Sequence, residues 1–206
     1  MARPTWSLMT EAMRSGALDT VRILLLEHPE LRTYRPPSAG GGWLHVAARY
    51  PHSEIVTFLL DEGFDVNEPG SLDGDYAVVR AADNGNYEVA RLLLDRGGRM
   101  DTSASVRNPL FAAIVGQSPD VVRLLLERGI DASVRYNSET MTDMDATAFA
   151  LWRGETKLAH IVALHLADGN EVKAQALLND AREVVSRNAP LETVRIVPRM
   201  EDLERE

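Results

Sequence analysis

The residues able to do chemistry are few and scattered. His160 and His165 are the closest pair among the five histidines, and five positions along a helix is a turn of roughly 140°. Their rings diverge and do not converge on a metal. His28 and His52 have no sequence partner. Acid pairs stand at Asp73-Gly74-Asp75 and Asp143-Met144-Asp145, but neither continues into the glycine and distal glutamate that close a calcium loop. They read as solvated turn acids. With no cysteine, disulfides and thiolate metal or redox chemistry are excluded. Neither a Gly-x-x-x-x-Gly-Lys-Ser/Thr phosphate loop, a Gly-x-Ser-x-Gly elbow nor a His-Glu-x-x-His pair occurs. An enzyme is not expected, and no cofactor or metal is implied.

Charge narrows the partners. The 22 lysines and arginines face 31 acidic residues, a formal charge of -9, which opposes broad association with phosphate backbones or anionic lipid. A basic protein partner suits it better than nucleic acid or membrane. Residues 1–7 lead into a mixed polar segment without the apolar stretch of a secretory signal. The longest strongly apolar run, residues 110–115, is far short of a membrane span. The expectation is a cytoplasmic protein, monomeric when alone.

What could position a site is a repeat. The phrase Asn84-Gly85-Asn86-Tyr87-Glu88-Val89-Ala90-Arg91-Leu92-Leu93-Leu94-Asp95-Arg96-Gly97 returns as Asp120-Val121-Val122-Arg123-Leu124-Leu125-Leu126-Glu127-Arg128-Gly129. Equivalent positions fall at Ile23, Phe58, Leu92, Leu124 and Ile161, separated by 35, 34, 32 and 37 residues, a period characteristic of stacked arrays. The clearest opening is Gly42-Trp43-Leu44-His45-Val46-Ala47-Ala48, and it is followed by Leu59-Leu60-Asp61-Glu62-Gly63 and Asp65-Val66-Asn67. This resembles the ankyrin repeat, which opens Thr-Pro-Leu-His-x-Ala-Ala and closes Leu-Leu-x-x-Gly-x-Asp-x-Asn; Trp43 stands in place of the proline and Gly42 in place of the threonine. The resemblance implies that His45 is structural, its imidazole bonded to the turn.

The fold expected is all-α, an ankyrin-repeat solenoid of antiparallel helix pairs with β-turn or hairpin fingers and a C-terminal capping helix. Residues 1–188 would form a single domain, with repeats at about 5–34, 38–70, 72–103, 104–136 and 141–169, the first and last degenerate. In the fourth, Gln117 replaces the glycine between helices. The run at residues 35–42 reads as a flexible finger. Val172, Ala176, Leu177, Ala181, Val184 and Val185 recur about one turn apart, predicting an amphipathic cap over 171–187. Residues 189–206 read as an extended tail.

In each outer helix an apolar stripe such as Val89, Leu92 and Leu93 seeks cover while Glu88, Arg91, Asp95 and Arg96 face water. Alanine pairs such as Ala47-Ala48 and Ala81-Ala82 keep the inner helices thin. Gly63, Gly97 and Gly129 end the outer helices, and Gly16, Gly85 and Gly154 the inner ones.

In ankyrin-like arrays recognition falls on finger tips and on the two residues after the inner Ala-Ala pair. By that resemblance the partner-binding residues are Arg49, Tyr50, Asp83, Asn84, Trp152 and Arg153 at the helix ends. Leu72, Asp73, Asp75, Arg107, Met141 and Met144 are their counterparts on the fingers, and Arg80 joins them at an inner-helix position that is usually apolar or partner-facing. An aromatic beside an arginine, as at Arg49-Tyr50 and Trp152-Arg153, is hot-spot composition; the bland alternative packs Trp152 under the loop at 135–145 and Tyr50 under its neighbouring finger. The function expected is a protein-binding module that holds a folded partner, in its sharper form an inhibitor of a basic enzyme such as a toxin-immunity protein. The alternative is an assembly subunit that makes contact through its C-terminal helix and tail.

Overall fold

The computed structural model describes residues 5–36, 40–70 and 74–188, so the tail expected over 189–206 lies outside the described residues. The chain divides into two compact units, residues 1–130 and 131–206, and all eleven α-helices described belong to one or the other.

In the first unit eight helices alternate between two layers. The inner layer is α1 (Thr5–Ser15), α3 (Trp43–Ala48), α5 (Ala77–Asp83) and α7 (Pro109–Val115). The outer layer is α2 (Leu18–Glu27), α4 (Ser53–Asp61), α6 (Tyr87–Asp95) and α8 (Pro119–Glu127). Each inner helix packs on the next inner helix and each outer helix on the next outer one. This is the helical solenoid that the repeat predicts. No helix pair covers its own apolar stripe; the neighbouring pair does so, which is why the unit must be a stack.

The helices are short because their punctuation is strong. Ala48, Ala81, Ala82 and Ala113 are fully buried, so the inner helices approach closely. Outer helices bury Val21, Leu24 and Leu25; Ile55, Val56 and Leu59; Val89, Ala90 and Leu93; and Val121, Val122 and Leu125. Leu92, expected in the α6 stripe, is only half-buried, and Ala90 takes the inward place. Between α5 and α6 the chain turns through Gly85 at φ 67°, and between α7 and α8 the same left-handed turn is made by Gln117 at φ 54°. A residue with a Cβ pays there for a conformation that glycine adopts freely.

Neighbouring repeats are tied by bonds that span one period. Asn67 Nδ2 donates to Gly97 O at 3.0 Å and Asn67 Oδ1 accepts from Arg99 N at 2.8 Å. Asn86 Nδ2 donates to Ala48 O at 2.9 Å, and His52, one repeat earlier, places Nε2 3.1 Å from Arg14 O. Ion pairs run the same way along the outer helices: Arg96 to Asp61 at 2.9 Å and Arg128 to Asp95 at 2.7 Å.

The fingers carry no strand among the described residues. Gly40, Gly41 and Gly42, expected to be flexible, are buried instead. A Cβ at Gly41 would collide with the His45 ring and one at Gly42 with the Glu68 carboxylate. Glycine stands at these two positions because the His45 and Glu68 side chains occupy the space a Cβ would take.

The second unit holds α9 (Ala146–Trp152), α10 (Thr156–Leu166) and α11 (Glu171–Ser186), which pack on one another. Its leading loop makes one antiparallel bridge, Tyr136 to Met144. The cap helix forms where expected, but its inward face is Ala174, Leu178, Ala181 and Val184. Val172 is 83 % exposed and Ala176 faces solvent too. The expected stripe took in Val172 and Ala176 and left out Ala174 and Leu178, whereas a face at i, i+4, i+7 from Ala174 leaves Val172 and Ala176 on the far side.

Candidate partner-binding surface

The inner helices of the first unit end within reach of one another. After the buried Ala47-Ala48 pair the chain leaves α3 through Arg49 and Tyr50, both half-buried. After Ala81-Ala82 it leaves α5 through half-buried Asp83 and exposed Asn84. The end of α7 rests directly on the end of α5: any side chain at Gly116 would strike the backbone oxygens of Asp83 and Ala82. Arg49, Tyr50, Asp83 and Asn84 therefore sit on adjoining helix ends of one unit, the first three half-buried and Asn84 exposed.

The fingers behave differently. Leu72 and Asp73 lie outside the described residues. Asp75, expected as a solvated tip acid, is buried at 2 % exposure and is corrected to a structural residue. Its carboxylate pairs with Arg80, Nε to Oδ2 at 2.8 Å, and its carbonyl accepts from Gly70 N at 2.6 Å and lies 3.2 Å from His45 Nε2. Arg80, the expected partner-facing arginine, thus spends its charge within the fold, with its side chain 30 % exposed. Arg107 is half-buried and lies 3.5 Å from Asp101.

His45 is the buried centre of this finger. The Asp75 carbonyl can only accept, so the facing Nε2 donates the hydrogen bond, while Nδ1 has no hydrogen-bond partner among the described residues. Burial, the largest influence, holds the imidazole below its ordinary value of 6.5, against the opposing pull of the Asp75 carbonyl and charge. Protonation would leave a second N–H buried without an acceptor. Because the folded value is depressed, the unfolded chain binds the extra proton first, and stability falls as pH drops through about 6.5 towards the folded value. Melting temperature should fall between about pH 7 and about pH 5.5, and His45→Gln should flatten that slope; an unchanged slope in the variant would remove His45 as its source.

In the second unit the loop at 135–145 brings Asp143 and Asp145 to Arg135 and turns Met144 inward. Arg135 pairs with Asp143 at 2.8 Å and reaches Asp145 at 3.6 Å. Met144 is fully buried and exchanges backbone bonds with Tyr136 at 3.0 Å, so it is corrected from a contact residue to core. Met141 is half-buried. Trp152 and Arg153 are both half-buried at the end of α9, where Trp152 lies 6.1 Å from Phe149 and the Arg153 guanidinium 5.8 Å over the same ring. Sequence reasoning missed Asn188, whose amide both donates to Thr142 O (3.1 Å) and accepts from Thr142 N (2.7 Å). Nothing in its sequence neighbourhood signals that clamp.

The comparisons agree with the stacked helix pairs of the fold. The family model of ankyrin repeats matches in three copies over residues 44–136. Those residues belong to the ankyrin-repeat family. A rice protein (Oryza sativa subsp. japonica) named "Probable E3 ubiquitin-protein ligase" is 34 % identical over 42 % of this chain and 17 % of its own. A fowlpox virus (strain NVSL) protein named as an ankyrin repeat protein is 24 % identical over 78 % of this chain and 48 % of its own. An ankyrin repeat and KH domain-containing protein of Caenorhabditis elegans is 28 % identical over 68 % of this chain and 6 % of its own. The chain thus spans about half or less of these ankyrin relatives. Ankyrin repeats are protein-binding modules rather than catalysts. Among the described residues, no group of three or more His, Asp or Glu could hold a metal ion, and no helix is long and apolar enough to cross a membrane.

Proposed function

We propose that this chain holds a folded protein partner on the inner-helix ends of its first unit, through Arg49, Tyr50, Asp83 and Asn84, with Trp152 and Arg153 as a contact of the second unit. The observation that carries this reading is where those residues stand. They stand at the ends of the alanine-lined inner helices, half-buried or exposed, whereas Asp75 and Met144 are buried inside the fold. Arginine beside tyrosine or tryptophan is also the composition of interface hot spots.

The finer reading is an inhibitor that masks a basic enzyme, as a toxin-immunity protein does. It is supported by the charge of -9 and by the exposed acid that opens each outer helix of the first unit: Asp19, Glu54, Glu88 and Asp120. The reading locates the chain in the cytoplasm, alone as a monomer. A second reading, assembly through the C-terminal helix, is favoured by Val172 and Ala176, which leave apolar side chains outward on α11.

The test is affinity capture of the partner, followed by titration of that purified partner against an Arg49, Tyr50, Trp152, Arg153 quadruple alanine variant. Hot-spot loss predicts at least about a hundredfold weaker binding with an unchanged melt. Binding equal to the parent would sink the helix-end assignment, and loss on Val172→Asp instead would move the contact to α11.

A further inference from the structure

Asn84 is followed by Gly85, the dipeptide in which asparagine loses its amide most readily, because glycine has no side chain to hinder attack by its own backbone nitrogen. In the folded chain both reacting groups are occupied. Asn84 caps α5 at φ -95° and ψ 4°, and its Nδ2 donates to Arg80 O at 2.9 Å. The Gly85 nitrogen, the nucleophile, donates its proton to Ala82 O at 3.1 Å. The next residue, Asn86, binds Ala81 O through its backbone and Ala48 O through its side chain, both at 2.9 Å, and so ties α5 to α3.

We propose that Asn84-Gly85 is a deamidation site which the folded repeat holds in check, and whose modification releases the tie between α3 and α5. Gly85 N attacks Asn84 Cγ and gives up its proton; Nδ2 leaves as ammonia. Water then opens the five-membered imide at either carbonyl, giving aspartate or isoaspartate, with no oxidant or cofactor needed. Either product removes the Nδ2 donor facing Arg80 O and sets a negative charge at the C-terminal end of a helix, where the dipole opposes it. Isoaspartate also adds a methylene to the backbone before Gly85, whose left-handed φ of 67° aims Asn86 at Ala48. Local opening is thereby converted into a lasting loosening of one joint. This inference does not depend on the chain's partner.

The full chain is incubated at mildly alkaline pH and physiological temperature, in buffer and in denaturing urea. Peptide mapping then follows acid replacing amide, and isoaspartate-specific methyl transfer marks the isomer. Asn84 should convert ahead of Asn137 and Asn188 in urea, and at least about tenfold more slowly in buffer, because reaction waits for local opening. The modified protein, separated by charge, should melt several degrees lower. Asn84→Asp should show a smaller decrease, carrying the charge without the extra methylene. Asn84→Gln, which lacks the favourable five-membered route, should leave the segment unmodified. Equal rates in buffer and urea, earlier conversion at another asparagine, or a modified protein that melts with its parent would each overturn the proposal.

Discussion

Replacing Trp43 by alanine should lower the free energy of unfolding by about 3–5 kcal/mol, the range for truncating a large buried aromatic. Trp43 is 1 % exposed, its indole stacks on Tyr34 with ring centroids 6.2 Å apart, and its Nε1 donates to Leu31 O at 2.6 Å. Alanine leaves a cavity and a buried carbonyl without its donor. Trp43→Phe separates the two effects: it keeps most of the ring and should lose only about 1–3 kcal/mol, the cost of an unsatisfied buried acceptor. Urea denaturation of both variants checks this. A Trp43→Ala midpoint equal to the parent's would mean that the indole is not holding the first helix pair against the second.

The second large effect is Leu93→Ala, at about 2–5 kcal/mol. Leu93 is fully buried on α6, whose helix packs on both α4 and α8, so truncation opens a void that neither neighbour can fill without leaving its own register. Leu92→Ala is the internal control. That leucine is half-buried and should lose clearly less. Thermal melts of the pair should rank them in that order, and the reverse ranking would show that α6 is rotated from the position described.

Most of the scaffold was legible because its determinants are local and repeated. Gln117 was read as a substitute for glycine purely from its place in the period, and its left-handed φ follows from that place. His45 was assigned to the turn by its motif, and it does face the Asp75 carbonyl. The fingers were not legible in the same way. An aspartate beside glycines looks solvated in sequence; Asp75 is buried because Arg80, a turn and a half further on, supplies its counter-charge. Met144 lies between two aspartates, and only the bridge to Tyr136 shows that the methionine turns inward while both acids reach Arg135. The cap was found by its spacing, but composition alone could not choose which of its apolar residues face in, since that depends on how α11 docks on α9 and α10.

The period-spanning bonds of Asn67, Asn86 and His52 have a consequence for how the first unit loses structure. Each joins a repeat only to its immediate neighbour, so no bond of this kind bypasses a joint. Opening one joint leaves the bonds of the next intact, and cooperativity passes along the stack by nearest-neighbour contact alone. Amide hydrogen exchange should therefore be graded rather than uniform, slower in α3 to α6, which have neighbours on both sides, than in α1 and α2. Within the first unit, structure would then be lost joint by joint, as a zipper opens.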